Sequence, residues 1–187
     1  MIVLKFGGTS VGGPEPIRRL GEIVRRCLSE KPVVVVSAMS GVTNRLFRIS
    51  DLAILGTSWQ EELSGLREHH RSTLRDLGLE TALLDPLFGE LEGLIRGIAL
   101  IRECTLRTKD YLVSFGERFS VRMVAAHLRG IGLEAAALDS FDAGLVTDGR
   151  FGGARPLSDV DARIRSALSK ASGVPVITGY IGKDEAG

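Results

Sequence analysis

Two short, largely apolar runs, Ile2–Phe6 and Val33-Val34-Val35-Val36, stand on either side of a single amphipathic stripe. No other feature constrains the fold as strongly. Both runs are rich in β-formers and neither alternates with polar residues, the pattern expected of strands covered on both faces. Gly7-Gly8 ends the first run, and Pro32 and Ser37 bound the second. Between them Pro14-Glu15-Pro16 leads into Ile17, Leu20, Ile23, Val24 and Cys27, apolar positions at helical spacing. Proline suits a helix start, because the first amide has no intrahelical acceptor to lose. Strand, glycine turn, helix and strand make a βαβ unit, which packs as a right-handed crossover between parallel strands.

Further along, the pattern predicts a helix over 44–55, after the loop Ser37-Ala-Met-Ser-Gly-Val-Thr-Asn44. Residues 58–107 contain no convincing strand and read as several helices, with breaks near Gly78 and at Asp85-Pro86. A longer helix is expected over 108–128, ended by Gly130 and Gly132. Ala135–Leu138 and Val174–Thr178 are the third and fourth strands. Between these two, Pro156-Leu157-Ser158 introduces a helix with Ser158 expected as N-cap and Asp161 at the third helical position, near a capping box. The expected architecture is α/β, three layers (αβα), with a mainly parallel sheet, a helical insertion over about 58–107, and a sheet incomplete at the C-terminus.

Composition narrows the classes of function. The chain has 187 residues, 44% of them hydrophobic and 25% charged, and a net charge of +1. Without a basic run, neither nucleic acid nor an anionic membrane surface is implied as a partner. No apolar run approaches the roughly 20 residues of a membrane span. The start, Met1-Ile-Val-Leu-Lys, is too short for a signal-peptide core. Cys27 and Cys104 match no zinc or redox spacing, so two reduced thiols in a cytoplasmic protein are expected.

The turn Lys5-Phe-Gly-Gly-Thr-Ser-Val-Gly-Gly13 admits three readings. A phosphate-binding P-loop needs Lys-Ser or Lys-Thr after its last glycine, and Gly13-Pro14 stands there instead. A dinucleotide fingerprint fails too, since the order is G-G-T-S-V-G rather than G-x-G-x-x-G. A plain turn is the bland reading, explained by glycine's backbone freedom. The third reading starts from position: Lys5 lies at the C-terminal end of a strand, where open α/β sheets bind ligands. Glycines there let amides approach an anion, and an ammonium adds a point charge. A lysine in an otherwise apolar strand is costly unless it has a partner or a task.

K-F-G-G-T-S-V resembles the opening signature of the aspartate kinases, a branch of the amino-acid kinase family. The resemblance runs on in order through S-A-M-S-G-V-T-N, Ser114-Phe-Gly-Glu-Arg-Phe-Ser120, Val146-Thr-Asp-Gly-Arg-Phe-Gly152 and Val176-Ile-Thr-Gly-Tyr-Ile-Gly182. It implies transfer of the ATP γ-phosphoryl group to the side-chain carboxylate of L-aspartate. This is the first step towards lysine, threonine and methionine, with Mg2+ carried on the nucleotide and no metal site of the protein's own. It also implies a parent that is a homo-oligomer. Such a transfer needs no general base, because a carboxylate is already ionised at pH 7; charge stabilisation and positioning dominate.

By resemblance, Lys5 contacts the phosphates as the catalytic cation, with Gly7 and Gly8 supplying amides. Thr9, Ser10 and Ser37 belong to the phosphate-binding set; the competing view of Thr9 and Ser10 is that they cap the following helix, and on sequence alone Ser37 and Thr43 are equally readable as loop or cap residues. Thr43 and Glu117 match the substrate-binding hydroxyl and the carboxylate that receives the α-ammonium. Glu117 shares a helical face with Val113, Val121 and Val124, so an internal ion pair with Arg118 or Arg122 is the competing explanation. Asp148 is equally readable as a turn former, and His69, His70 and His127 as packing or surface residues. The family's next glycine-rich motif, G-R-x-G-S-D-like, is absent before Gly187. The expectation is therefore the N-terminal portion of a catalytic domain, without its later nucleotide-binding part or regulatory ACT domains, and inactive alone. A non-catalytic ATP- or amino-acid-binding module is the alternative from another class. Within enzymes, a glutamate or acetylglutamate kinase is the weaker one.

Overall fold

The computed structural model describes residues 1–186. Four parallel strands, β1 (Ile2–Phe6), β2 (Pro32–Val36), β3 (Ala135–Leu138) and β4 (Val174–Thr178), form one sheet in the order β1-β2-β4-β3. The helices are α1 (Pro14–Arg26), α2 (Val42–Leu55), α3 (Trp59–Asp76), α4 (Asp85–Ile101), α5 (Leu106–Gly130) and α6 (Val160–Lys170). A 3₁₀ turn, Gly8–Val11, precedes α1.

Strand order and handedness dictate the layering. The β1-to-β2 connection steps one way across the sheet, and the β3-to-β4 connection steps back. Right-handed crossovers running in opposite directions put their helices on opposite faces. Leu4, Phe6, Val34, Val36 and Val176 accordingly pack with Leu20 and Val24 of α1 and Val121 and Val124 of α5. On the other face Val33, Ile177 and Leu138 meet Leu168 of α6 and Ala143. The architecture is α/β in three layers with an all-parallel sheet.

Helices α3 and α4 fall within the expected insertion and pack with α2 and α5 around a core that holds Phe88 and Phe119, stacked at 4.4 Å between ring centroids. Gly78, at φ +70°, supplies the break after α3, and Pro86 sits at the start of α4. No helix among the described residues is long and apolar enough to cross a membrane.

Three expectations are corrected. β1 is an edge strand of the described sheet and is covered on one face only: Val3 is 63% exposed and Lys5 is exposed, while Phe6 is buried. A short, mainly apolar run does not separate a half-covered edge strand from a buried one. Ser158 does not cap α6; Asp159 occupies that position, and its carboxylate accepts from Arg163 Nε at 2.7 Å instead of from the helix amides. The second and fifth helices begin two residues earlier than expected, at Val42 and Leu106, and the fifth ends at Gly130. For α2 the start is set by Gly41 at φ +81°, a left-handed position that a side chain would strain.

Candidate active site

The C-terminal ends of the strands are laced together by backbone hydrogen bonds. Ser37 N donates to Phe6 O at 3.1 Å, Gly179 N to Val36 O at 2.8 Å, and Ser40 N to Gly8 O at 3.1 Å. Ser140 N reaches the Thr178 hydroxyl at 2.8 Å. The loops after all four strands therefore share one rim of the sheet, where open α/β folds gather ligands.

The glycine turn is rigid at its core and open at its lip. Ser10 N closes on Gly7 O at 2.9 Å, and fully buried Val11 pins the far end under α1. Gly8 lies so close to the β2 loop that a Cβ there would stand 3.0 Å from Ala38 O. Around Gly7 a Cβ would meet nothing within 4 Å, so the side of its Cα where a side chain would stand is open space. Thr9 is exposed and Ser10 half-buried. Neither caps α1, whose N-cap is Gly13 without a side-chain bond, so the capping explanation falls away. Lys5 projects from the uncovered face of β1, registered with Val35, and among the described residues its ammonium has no ion-pair partner. Its exposure removes the burial argument for a task; what remains is an unpaired cation beside a glycine turn.

Glu117 is placed by α5 on the opposite side of the β2 loop. It is 9% exposed, and its Oε1 accepts from Ala38 N at 3.2 Å. Burial pushes its pKa up, and the Ala38 amide only partly offsets this. The internal ion pair proposed as the bland explanation does not form. Arg122 and Arg118 turn instead to Asp139, which is 3% exposed at the end of β3. Arg118 also bridges to Glu90 of α4 at 3.1 Å. A buried carboxylate without a cation is expensive to keep ionised, which leaves room for a cationic ligand.

Ser37 and Thr43 are half-buried, Ser37 following β2 and Thr43 in the first turn of α2. Among the described residues neither hydroxyl makes a hydrogen bond. Asp148 fixes a turn, its Oδ1 accepting from Arg155 N at 3.0 Å and Arg150 N at 3.4 Å. His70 lies fully buried with Nδ1 2.9 Å from Leu66 O, and burial drives its pKa down to about 4. His127 is buried and His69 exposed on α3. No group of three or more His, Cys, Asp or Glu among the described residues could hold a metal ion. Cys27 and Cys104 are free thiols.

With this geometry in place, comparison with known proteins gives a family match. The model of the amino acid kinase family matches residues 1–187. The chain belongs to the amino acid kinase family. It is 39% identical to aspartokinase 3 of Arabidopsis thaliana over 97% of its own length and 34% of that protein, and 30% identical to the aspartokinase of Schizosaccharomyces pombe over 97% and 38%. Escherichia coli aspartokinase III in complex with aspartate and ADP matches all of this chain and 42% of that one, with a TM-score of 0.84 and 27% identity. The chain thus spans about a third to two-fifths of the relatives it matches.

In this amino acid kinase chain the residues that sequence reading passed over are mostly backbone. Ala38 offers no reactive side chain, yet its N–H meets Glu117 and its carbonyl adjoins Gly8. Asp139 was not singled out, because one Asp after a strand reads as loop. Gly116 did carry a signal, a glycine in mid-helix.

Proposed function

We propose that this chain carries the phosphate-handling turn and the amino-group-recognising carboxylate of an aspartate kinase. ATP and L-aspartate are the substrates, and magnesium arrives with the nucleotide. Glu117 carries the reading: a buried carboxylate, left without a cation, hydrogen-bonded to the loop that also abuts the glycine turn. In the proposed reaction an aspartate side-chain oxygen forms a bond to the γ-phosphorus as the bond to the β–γ bridging oxygen breaks, giving 4-phospho-L-aspartate and ADP. Lys5, with the Gly7 and Gly8 amides, stabilises charge on the transferring group, as an electrostatics-dominated transfer requires. Thr9, Ser10 and Ser37 add hydroxyls on the phosphate side. Glu117 and Thr43 hold the amino acid by its α-ammonium and a polar contact.

The residues fit phosphate. Among the described residues Lys5 is a cation without an ion-pair partner, the Cα of Gly7 has open space beside it, and Gly8 approaches Ala38 so closely that a side chain would crowd it. The relatives' names, and the aspartate and ADP bound in the Escherichia coli structure, support the choice of substrates. The reading treats residues 1–187 as the N-terminal portion of a kinase domain with a helical insertion at about 58–107, in a homo-oligomeric, cytoplasmic parent that acts on neither nucleic acid nor membrane. The chain alone turns over little or nothing.

The test is to supply MgATP, L-aspartate and hydroxylamine while following the 13C signal of the Glu117 carboxyl. Aspartate is expected to shift that signal more than glutamate does, with hydroxamate at trace level. Robust hydroxamate formation overturns the claim of inactivity. A Glu117 signal indifferent to aspartate overturns the substrate assignment.

A further inference from the structure

Gly116 precedes Glu117 in the middle of α5, a place where glycine weakens a helix relative to alanine. The surroundings show what its lack of a side chain permits. A Cβ at Gly116 would stand 2.7 Å from Ala38 Cβ, 3.4 Å from Val42 Cγ1 and 3.7 Å from Leu46 Cδ1. The first separation is closer than real Cβ contacts run, and Ala38 Cβ is bonded directly to backbone with no rotamer to move. Only one atom away, the Ala38 N–H donates to Glu117 Oε1 at 3.2 Å. The carbonyl of the same residue is approached by Gly8, whose own Cβ would stand 3.0 Å away. Residue 38 is thus gripped between two glycines, one from the phosphate turn and one from the carboxylate helix.

We propose that Gly116 is a positioning residue: its missing side chain lets α5 settle against Ala38, which sets Glu117 on the Ala38 amide at a fixed distance from the glycine turn. The role in binding rests on the reading of Glu117 as the ammonium acceptor; the role in geometry does not. Any side chain at 116 pushes α5 and the β2 loop apart, and the Glu117–Ala38 bond is the first contact to lengthen.

The experiment is a rescue cycle on the 187-residue chain, read by NMR. In the parent sequence the residue-38 amide is expected to shift with pH as Glu117 titrates, and Glu117→Gln abolishes that response, which assigns it. Gly116→Ala is expected to lose the response and to weaken any aspartate-induced shift about tenfold, one power of ten in affinity. Gly116→Ala combined with Ala38→Gly removes the opposing Cβ and is expected to recover both to within about threefold. A general helix-propensity effect would not be rescued at residue 38.

If Gly116→Ala keeps the pH-dependent shift, the proposal is overturned. It is equally overturned if the double variant folds without recovering the shift, or fails to fold, because collision with Ala38 is then not what requires glycine. If the single variant unfolds and the double variant folds with the coupling intact, the proposal is supported. If the amide responses follow this course while aspartate moves nothing in any variant, the geometry stands and the substrate reading of Glu117 falls.

Discussion

At the scale of single residues, Lys5 and Glu117 make opposite demands on stability. Lys5 is exposed and, among the described residues, has no ion-pair partner, so Lys5→Met should change folding stability by no more than about 0.5 kcal/mol, the usual range for surface sites. Its loss should appear in nucleotide binding, measured by titration calorimetry with MgATP, and a variant that binds as well as the parent removes Lys5 from the phosphate site. Glu117 is held in a buried setting that raises its pKa. Above the unfolded value the folded state therefore binds more protons than the unfolded chain, and stability falls as pH rises through the interval up to the folded pKa. Glu117→Gln should erase that fall, leaving the protein at least as stable at pH 7 in urea titrations across pH 4 to 8. The same substitution should weaken aspartate binding by about 10- to 100-fold, the 1.5–3 kcal/mol of a hydrogen bond to a charged group.

At the scale of elements, His70 ties three helices together and should make them acid-sensitive. It sits on α3, its ring edge-on to Phe88 of α4 and Phe119 of α5 at 5.6 and 4.9 Å, and Nε2 is buried without a partner. Its neighbour His69 and Arg45 of α2 add positive charge that opposes protonation. With a folded pKa of about 4 against 6.5 unfolded, the unfolded chain binds the extra proton first. Stability is then lost as pH falls from 6.5 towards 4, by about 3 kcal/mol in all at 1.36 kcal/mol per pKa unit. His70→Leu should flatten that limb of the pH–stability curve; an unchanged acid limb would mean the ring titrates normally. This element also marks the limit of what was readable in the chain. The apolar stripe of α1, the break at Gly78 and the four strands could be read from spacing and turn chemistry, since those signals are local. The strand order could not, and with it went the exposure of Val3 and Lys5, which depends on which neighbour β1 lacks. In the site, the candidate residues were named from the resemblance of their motifs, with Lys5 and Glu117 also marked by a charge on an otherwise apolar strand or helix face. The Ala38 amide, the Asp139 grip on Arg118 and Arg122, and the collision that keeps Gly116 bare arise only when distant segments meet.

At the scale of the whole molecule, the described sheet has a free edge at β1, with backbone groups unpaired on that side and Val3 63% exposed on its uncovered face. Met1, 80% exposed, adds apolar surface at the start of β1, and Tyr180, 101% exposed, adds it beyond the end of β4. An edge strand that presents both unpaired amides and apolar side chains is a template for pairing with another chain, and natural proteins blunt such edges with charge. Lys5 already does so at one end of β1, while Val3 has no counterpart. Val3→Lys places a second ammonium two residues away on the same face, where like charges on two copies would oppose edge-to-edge contact. Val3 is mostly exposed, so the substitution should cost little stability, within about 0.5 kcal/mol. The expected outcome is a lower concentration-dependent mass by light scattering, with an unchanged urea midpoint and, at raised salt, a partial return of association as screening shortens the repulsion. Association that persists undiminished in Val3→Lys would place the contact away from β1, and the apolar ends of α2 and α4, where Leu55, Leu100 and Ile101 are exposed, become the surface to vary next.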